Sequence, residues 1–214
     1  MSNACASSLG ALYLANSWIE KKRVRRVLVL AADHVGRFVM QGFQSLQALS
    51  PTRVQPFARN RDGLRLGEAA TAILLCDPEV EPFTSARDAL TLEAIGMDTE
   101  GYAVTRPSQS GTSLKKACSI AMGKARSESA RDPAVDLVIA HGTGTQINEV
   151  AENQVFQTFF PEGLTPITGT KWSIGHTLAA SGAMDFIAGC YALRTQRVFK
   201  MANTHEVDSK LSGR

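Results

Sequence analysis

Hydrophobic residues recur at helical spacing near the start of the chain and then give way to a continuous apolar run. Apolar side chains repeat near a period of 3.6 residues from Ala6 to about Glu20, with small residues between them, which predicts a helix suited to close packing. The run from Val24 to Ala32 is rich in leucine and β-branched residues, a pattern typical of a buried strand rather than a half-exposed one. A strand directly after a helix indicates an α/β layer fold.

The middle of the chain predicts a long loop, a strand and a boundary between two lobes. Residues Ser50 to Glu68 are rich in Gly, Pro, Arg and Asp and show no apolar period, so we expect an ordered loop there. Long loops in compact domains are often functional. Thr71 to Cys76 predicts a strand, and the acidic, proline-containing stretch after it predicts a lobe boundary, with the second lobe starting near residue 88.

The second lobe shows alternating strand and helix patterns. Alternation of this kind predicts a parallel or mixed sheet covered on both faces, with reactive groups at the carboxyl ends of the strands. The predicted strands are Leu90 to Met97, Val135 to Ala140 and Pro166 to Gly169, and the predicted helices are Ser113 to Ser127, Asn148 to Phe159 and His176 to Thr195.

Composition and charge exclude several classes of protein. With 214 residues, 44% of them hydrophobic, and a net charge of +3, the chain can form one sizeable globular domain or two small lobes. It has no apolar run of about 18 residues, so we expect no membrane span. The N-terminus does not resemble a secretory signal, which favours the cytoplasm. The basic cluster from Lys21 to Arg26 has no interleaved aromatic residues, so we interpret it as a solvated helix end rather than a nucleic-acid site.

Of the four cysteines, Cys5 is the candidate nucleophile. The four cysteines lie far apart without a Cys-x-x-Cys pair, which argues against a structural metal site. Cys5 lies where the first helix is predicted to begin, and a thiol at a helix N-terminus is favoured as the nucleophilic thiolate. A buried structural cysteine explains this position equally well.

Two histidines lie in segments whose composition suggests chemistry. His141 follows a predicted strand and opens the sequence His-Gly-Thr-Gly-Thr, in which the glycines allow a substrate to approach the backbone and Thr143 and Thr145 offer hydroxyls. His176 follows Lys171 and is predicted to start a helix rich in small residues, where the helix dipole keeps an imidazole neutral. His176 considered alone is as consistent with packing as with function.

Three segments together carry a family resemblance. Residues 4–8 around Cys5, the loop from His141 to Thr145 and the segment from Lys171 to Gly182 resemble the active-site motifs of the β-ketoacyl synthase family. The loop containing Pro56-Phe57 is also similar, so the resemblance runs nearly end to end. It implies a thiolase-like layered α/β/α fold, in which residues 1–87 form the C-terminal part of the first lobe and residues 88–214 most of the second.

The resemblance also implies a reaction and a site. The reaction is the decarboxylative condensation of a malonyl thioester with an acyl group held on Cys5, in fatty acid or polyketide synthesis. His141 and His176 would bind the thioester oxygen while Lys171 orients and tunes them. The remaining implied residues are Thr143 and Thr145 for the pantetheine arm, and Gly175 and Asp185 as structural support.

The implied partners are acyl carrier protein or coenzyme A thioesters, and full-length members of the family are expected to be homodimers. No cofactor or metal is required, and no nucleic acid or membrane is involved.

The chain departs from the family pattern in two ways. Asp185 stands where the family commonly has glutamate, so we expect a looser ion pair between Asp185 and Lys171. Set against the family, the chain is expected to be truncated at both ends, which would leave its unaided turnover low.

Three other interpretations compete with a condensing enzyme. A thiolase would share the fold, but it uses a second cysteine where this chain has His176. A Cys-His hydrolase of another fold would not explain the segment from Lys171 to Gly182. A catalytically inactive chain-length or scaffold partner of a ketosynthase belongs to a different class, and such partners usually lose the nucleophile that Cys5 retains.

Overall fold

The fold is described from a computed structural model, which covers residues 1–79, 90–103, 107–128 and 134–211. The predicted lobe boundary near residue 88 lies outside these residues. The elements in chain order are α1 (Ser7–Glu20), β1 (Arg26–Asp33), α2 (Arg37–Ser45), β2 (Ala69–Cys76), α3 (Thr112–Glu128), β3 (Val138–Ile139), α4 (Gln146–Phe159), β4 (Ile167–Thr168), α5 (Lys171–Ile174), a 3₁₀ turn (Leu178–Ala180) and α6 (Ser181–Thr195).

The strands of the described residues form two small sheets. β1 and β2 are antiparallel, with Arg26 opposite Cys76 and Asp33 opposite Ala69. β3 and β4 are parallel, with Val138 opposite Ile167. The parallel or mixed sheet was predicted for the second lobe, and the parallel pair of β3 and β4 agrees with that prediction.

One sheet face is packed and the other is open. Val29 and Ile73 point into a core with Leu12 and Ala15 of α1 and Ala183 of α6. The alternate residues Leu28 and Leu30 are 56% and 69% exposed, so the prediction of a strand buried on both faces is wrong for β1. The run is apolar on both faces of the strand, but the described residues pack against only one of those faces.

A second core joins the long loop to the second lobe. Phe57 packs against Ala140, Phe156 and Leu211, and the ring centroids of Phe57 and Phe156 lie 5.8 Å apart. The segment from Ser50 to Glu68 contains no helix or extended strand, as predicted. This packing fixes the loop against α4 and against Ala140, which directly precedes His141.

One predicted strand is absent and one helix was not predicted. Residues 90–97 form no strand in the part of the chain that the structure describes. Gly96 instead lies directly against the backbone of Ala117 in α3, where a Cβ atom would collide with that carbonyl oxygen. Helix α2 was not predicted, although Val39 and Phe43 recur at helical spacing; none of its residues is buried. No helix among the described residues is both long and apolar enough to cross a bilayer.

Candidate active site

Cys5 lies in a tight turn just before α1. Because the helix begins at Ser7, Cys5 precedes it by two residues rather than opening it. The turn is closed by Ser7, whose hydroxyl accepts the N–H of Asn3 and donates to the carbonyl of Ala4, both at 2.7 Å. Ala4 has a φ of 45°, a conformation that costs a residue with a Cβ atom free energy and is often found at functional sites.

The His141 loop is held by a buried carboxylate on α4. The two oxygens of Glu152 accept the backbone N–H groups of His141 at 2.6 Å and Gly142 at 2.9 Å. Burial raises the pKa of Glu152 to about 7, although these two N–H groups and Lys171 favour the ionised form. Glu152 therefore determines where the His141 loop sits.

A second buried glutamate holds the rest of this loop. Glu149 is fully buried and accepts the N–H of Gly144 at 2.7 Å and that of Phe57 at 2.8 Å. Arg61 approaches the same carboxylate with its Nε atom 2.9 Å away, and burial raises the pKa of Glu149 to about 8. Gly144 has a φ of 80°, and a side chain there would collide with the long loop.

The two threonine hydroxyls of the loop lie together. The Oγ1 atoms of Thr143 and Thr145 are 2.9 Å apart and form a hydrogen bond. Thr143 is buried and Thr145 is partly exposed at the start of α4. Each hydroxyl retains further hydrogen-bonding capacity for a polar chain passing beside it.

His176 is fixed by the backbone on both sides. Its N–H donates to the carbonyl of Arg65 at 2.7 Å, and its carbonyl accepts the N–H of Gly67 at 3.0 Å. The N–H of Leu178 donates to Nδ1 of His176 at 3.0 Å, so the proton of the neutral ring is on Nε2. The prediction that His176 starts the long helix was wrong, because α6 begins only at Ser181 and a turn intervenes.

Cys5 and the two histidines converge in space. The sulfur of Cys5 and one ring nitrogen of each histidine all lie within 4.8 Å of one another. The ring centroids of His141 and His176 are 5.1 Å apart and the rings are perpendicular, with an interplanar angle of 87°. Residues distant in sequence therefore form one cluster, which presents a nucleophile beside two imidazoles.

Both imidazoles are neutral near pH 7. Burial, followed by the charge of Lys171, lowers the pKa of His176 to about 4. Burial, Lys171 and His176 hold the pKa of His141 well below its usual value. A neutral imidazole donates one hydrogen bond without carrying a charge of its own, and for His176 the donor is Nε2–H.

The protonation state expected for Cys5 was wrong. Burial raises the pKa of the Cys5 thiol, and this effect exceeds the opposing influences of Lys171 and of the backbone at Cys5 itself. At neutral pH the resting residue is therefore a thiol.

Lys171 is the charge at the centre of the site. Its side chain is 2% exposed and its Nζ atom lies 2.8 Å from Oδ2 of Asp185. The other oxygen of Asp185 accepts the hydroxyl of Thr170 at 2.6 Å. Burial raises the pKa of Asp185, while Lys171 and Thr170 oppose the rise. The expectation of a loose pair was wrong, because the backbone brings α5 close enough for the shorter aspartate side chain.

Sequence reasoning missed several residues that organise the site. Glu149, Glu152 and Arg61 were not singled out, although the two glutamates are spaced three residues apart and point toward the same side of α4 as buried Val155 and Phe156. Carboxylates on the apolar face of a helix were the available signal.

Cysteine and histidine are also zinc ligands, and Cys5, His141 and His176 are the one cluster of possible metal ligands found among the described residues.

Comparison with known proteins identifies the family and agrees with this fold. The family model of the β-ketoacyl synthase N-terminal domain matches residues 1–80, and that of the β-ketoacyl synthase C-terminal domain matches residues 90–205. The chain therefore belongs to the β-ketoacyl synthase family. The resemblance inferred from the three motifs is confirmed.

Individual relatives are consistent with this assignment. A ketosynthase in complex with its chain length factor from Xenorhabdus doucetiae is 32% identical with a TM-score of 0.85, over 97% of this chain and 50% of that one. A β-ketoacyl synthase from Burkholderia phymatum is 29% identical with a TM-score of 0.85, over 97% of this chain and 51% of that one. These likenesses confirm the thiolase-like layered fold.

The chain is also similar to curated proteins, along part of their length. Nodulation protein E of Rhizobium meliloti is 28% identical over 97% of this chain and 51% of its own length. A mitochondrial 3-oxoacyl-[acyl-carrier-protein] synthase of Arabidopsis thaliana is 31% identical over 65% of this chain and 30% of its own length. The chain spans about half the length of the curated relatives that match it along nearly its whole extent.

Proposed function

We propose that the protein catalyses the decarboxylative condensation of a malonyl thioester with an acyl group carried on Cys5. The observation that carries this proposal is the convergence of the Cys5 sulfur with His141 and His176 within 4.8 Å. A covalent intermediate on a thiol divides a difficult carbon–carbon bond formation into two easier steps. Membership of the β-ketoacyl synthase family supports the same chemistry.

The first step transfers an acyl group to Cys5. The Cys5 sulfur attacks the carbonyl carbon of an acyl thioester, the bond from that carbon to the donor sulfur breaks, and the donor leaves as a free thiol with the proton from Cys5. Since burial raises the pKa of Cys5, this step is expected to become faster as the pH rises above neutrality.

The second step uses the two histidines as hydrogen-bond donors. Loss of carbon dioxide from the malonyl group places negative charge on its thioester oxygen, and the Nε2–H of His176 can donate to that oxygen together with an N–H of His141. Pre-positioned donors at a developing charge are an effective form of electrostatic catalysis. The carbanion then attacks the Cys5 thioester and expels the Cys5 thiolate, which is reprotonated from solvent.

The surrounding residues support these steps. Lys171 adds positive charge and, with burial, keeps both imidazoles neutral. Asp185 fixes Lys171, and Gly175 allows the sharp turn that presents His176. Thr143 and Thr145 would bind the amides of a pantetheine arm. The donor would be an acyl carrier protein, as in the name of the Arabidopsis relative, or coenzyme A. The proposed setting is a homodimer in the cytoplasm.

A chain-length partner is the second candidate, because one similar structure is a ketosynthase bound to such a factor. The cluster around Cys5 favours the enzyme. The two functions are separated by incubation with a hexanoyl thioester, followed by mass analysis of the modified peptide. Acylation of Cys5 alone supports a condensing enzyme, and a Cys5→Ser variant should remain unmodified.

A second measurement tests the histidines. Release of carbon dioxide from a malonyl thioester should fall at least 100-fold in His141→Ala and in His176→Ala. The matched control is His205→Ala, which changes an exposed histidine away from the cluster. Absent acylation of Cys5, or acylation spread equally over Cys76, Cys118 and Cys190, would refute the proposal and support the partner role.

A further inference from the structure

The turn that follows His176 is strained and is held by two side-chain acceptors. Leu178 has a φ of 52°, a left-handed conformation that costs free energy for a residue with a Cβ atom. The N–H of Leu178 donates to Nδ1 of His176 at 3.0 Å. The next N–H along the chain, that of Ala179, donates to Oδ2 of Asp33, also at 3.0 Å. The turn is therefore held by the imidazole on one side and by a carboxylate on the other.

Asp33 reaches this turn from the other matched region of the chain. It is the last residue of β1, and its partner Ala179 lies 146 residues further along the sequence. Its second oxygen, Oδ1, accepts the N–H of His34 at 2.9 Å, which fixes the carboxylate at the end of the strand. Burial is the largest influence on the pKa of Cys5, which it raises, and the charge of Asp33 adds to this rise. Asp33 therefore acts on the cluster as well as on the turn.

The hydrogen bond from Leu178 determines which nitrogen of His176 carries the proton. Because Nδ1 accepts that N–H, the neutral ring carries its proton on Nε2 and can donate it to a substrate oxygen. If the turn relaxed, the N–H of Leu178 would no longer face Nδ1, and the ring would be free to adopt the Nδ1–H form. That form presents a lone pair where the reaction needs a donor.

We propose that Asp33 is a positioning residue for the condensation, which holds the turn after His176 so that the ring presents Nε2–H to the substrate. Asp33 acts through two successive backbone N–H groups, since Ala179 donates to the carboxylate and Leu178 donates to the ring. The consequence for catalysis rests on the proposed function. The tautomer of His176 is a property of the protein alone, so it can be measured without a substrate.

The first experiment measures the tautomer by NMR. In protein with isotope-labelled histidine, long-range proton–nitrogen correlation spectra distinguish Nε2–H from Nδ1–H rings, and His176→Gln assigns the signals. We expect the Nε2–H form to dominate in the unmodified protein and the Nδ1–H form to dominate in Asp33→Ala. Asp33→Asn retains an oxygen that can accept the N–H of Ala179, so the Nε2–H form should persist. If Asp33→Ala does not fold, Asp33→Ser replaces it, because the serine hydroxyl is too short to reach Ala179.

The second experiment measures release of carbon dioxide from a malonyl thioester. In Asp33→Ala, kcat should fall about tenfold, less than the roughly 100-fold expected for loss of the ring, because a minority of rings retains Nε2–H. KM should stay within about twofold, since the hydrogen bond from His176 strengthens only as charge develops on the thioester oxygen. Asp33→Asn should keep kcat within about threefold of the unmodified protein, which is rescue by the conservative change.

The matched control is Asp77→Ala, at the opposite end of the same pair of strands. Asp77 directly follows β2, and its Oδ1 accepts the backbone N–H of Glu79 at 3.0 Å. It also pairs with Lys22, so this variant should lose stability in urea unfolding. Because Asp77 lies at the far end of the strand pair from the turn, neither the tautomer of His176 nor kcat should change. A purely structural role for Asp33 would make the two alanine variants alike.

The outcomes distinguish this inference from the proposed function. An Nδ1–H ring in the unmodified protein, an unchanged tautomer in Asp33→Ala, or an equal change in Asp77→Ala would overturn the role of Asp33. Equal loss of kcat in Asp33→Asn and Asp33→Ala would also overturn it, because the hydrogen bond would then not be the cause. If the tautomer changes as expected but the unmodified protein releases no carbon dioxide, the positioning of His176 stands and the proposed function fails.

Discussion

The ion pair between Lys171 and Asp185 lies inside the protein, and changing Asp185 to Asn should destabilise the fold strongly. The substitution keeps the size of the side chain and the hydrogen bond from Thr170 but removes the negative charge. Lys171 is 2% exposed and its Nζ atom is 2.8 Å from Asp185. The variant would therefore leave a cation in the interior without its ionic partner.

The expected cost follows from burial. Breaking a buried ion pair by removing one partner costs about 3 to 5 kcal/mol, and the Asp185 side chain is 15% exposed, so we expect the lower end, about 3 kcal/mol. Glu152 also exerts an attractive electrostatic effect across the site, which limits the loss further. Replacing both partners, as in the double variant Lys171→Met with Asp185→Leu, should cost less than either single change.

The assay is urea unfolding followed by circular dichroism, with the free energy of unfolding extrapolated to zero denaturant. The matched control is Lys116→Met, which breaks a pair of similar length, 2.7 Å to Asp98, in which Lys116 is 63% exposed. That variant should lose less than about 1 kcal/mol. A loss below 1 kcal/mol for Asp185→Asn, or equal losses in the two variants, would show that burial does not set the strength of this pair.

Three further predictions concern the backbone and the titrating groups. Gly175 has a φ of 75°, and a Cβ atom there would lie 2.8 Å from the carbonyl oxygen of Leu66. Gly175→Ala should therefore lower the free energy of unfolding by about 2 kcal/mol or more, whereas Gly123→Ala, in an open helical position, should leave it unchanged or raise it slightly. His176 has a folded-state pKa of about 4 against a usual 6.5. Because the unfolded chain takes up this proton first, stability is lost as the pH falls from 6.5 to 4, by up to about 3.4 kcal/mol. His176→Gln should remove that part of the pH dependence, and an NMR titration showing a pKa near 6.5 would contradict it. Glu152→Ala leaves the backbone N–H groups of His141 and Gly142 without their acceptor, so the free energy of unfolding, measured by thermal unfolding, should fall by more than about 2 kcal/mol. An unchanged melting temperature would contradict this.

The candidate reacting residues could be proposed from the sequence because they stand beside small residues, alanine for Cys5 and glycine for each histidine. Cys5 and His176 were each as consistent with packing as with function when considered alone, and the three motifs together indicated the site; the structure brings Cys5, His141 and His176 together. The surrounding organisation could not be predicted in the same way. Glu149 and Glu152 act through backbone N–H groups of residues elsewhere in the chain, and a contact of that kind leaves no local pattern.

The burial of individual side chains also could not be predicted from the local sequence pattern. The helix-dipole argument for Cys5 and His176 depended on helix starts that lie two and five residues further along the chain. Desolvation is the main influence on the pKa of both residues, and it raises the pKa of a thiol while it lowers that of an imidazole. The run from Val24 to Ala32 was assigned to the interior from hydrophobicity alone, yet alternate residues of β1 face outward.

Arg61 connects parts of the chain that two separate family models describe. Its guanidinium lies 2.9 Å from Glu149 and 2.7 Å from Asp208, so a residue of the first matched region neutralises carboxylates within or just after the second. A polypeptide ending near residue 80, or one starting near residue 90, would leave one side of this interaction uncompensated. The two regions should therefore melt in a single cooperative transition, and neither should behave as an autonomous folding unit.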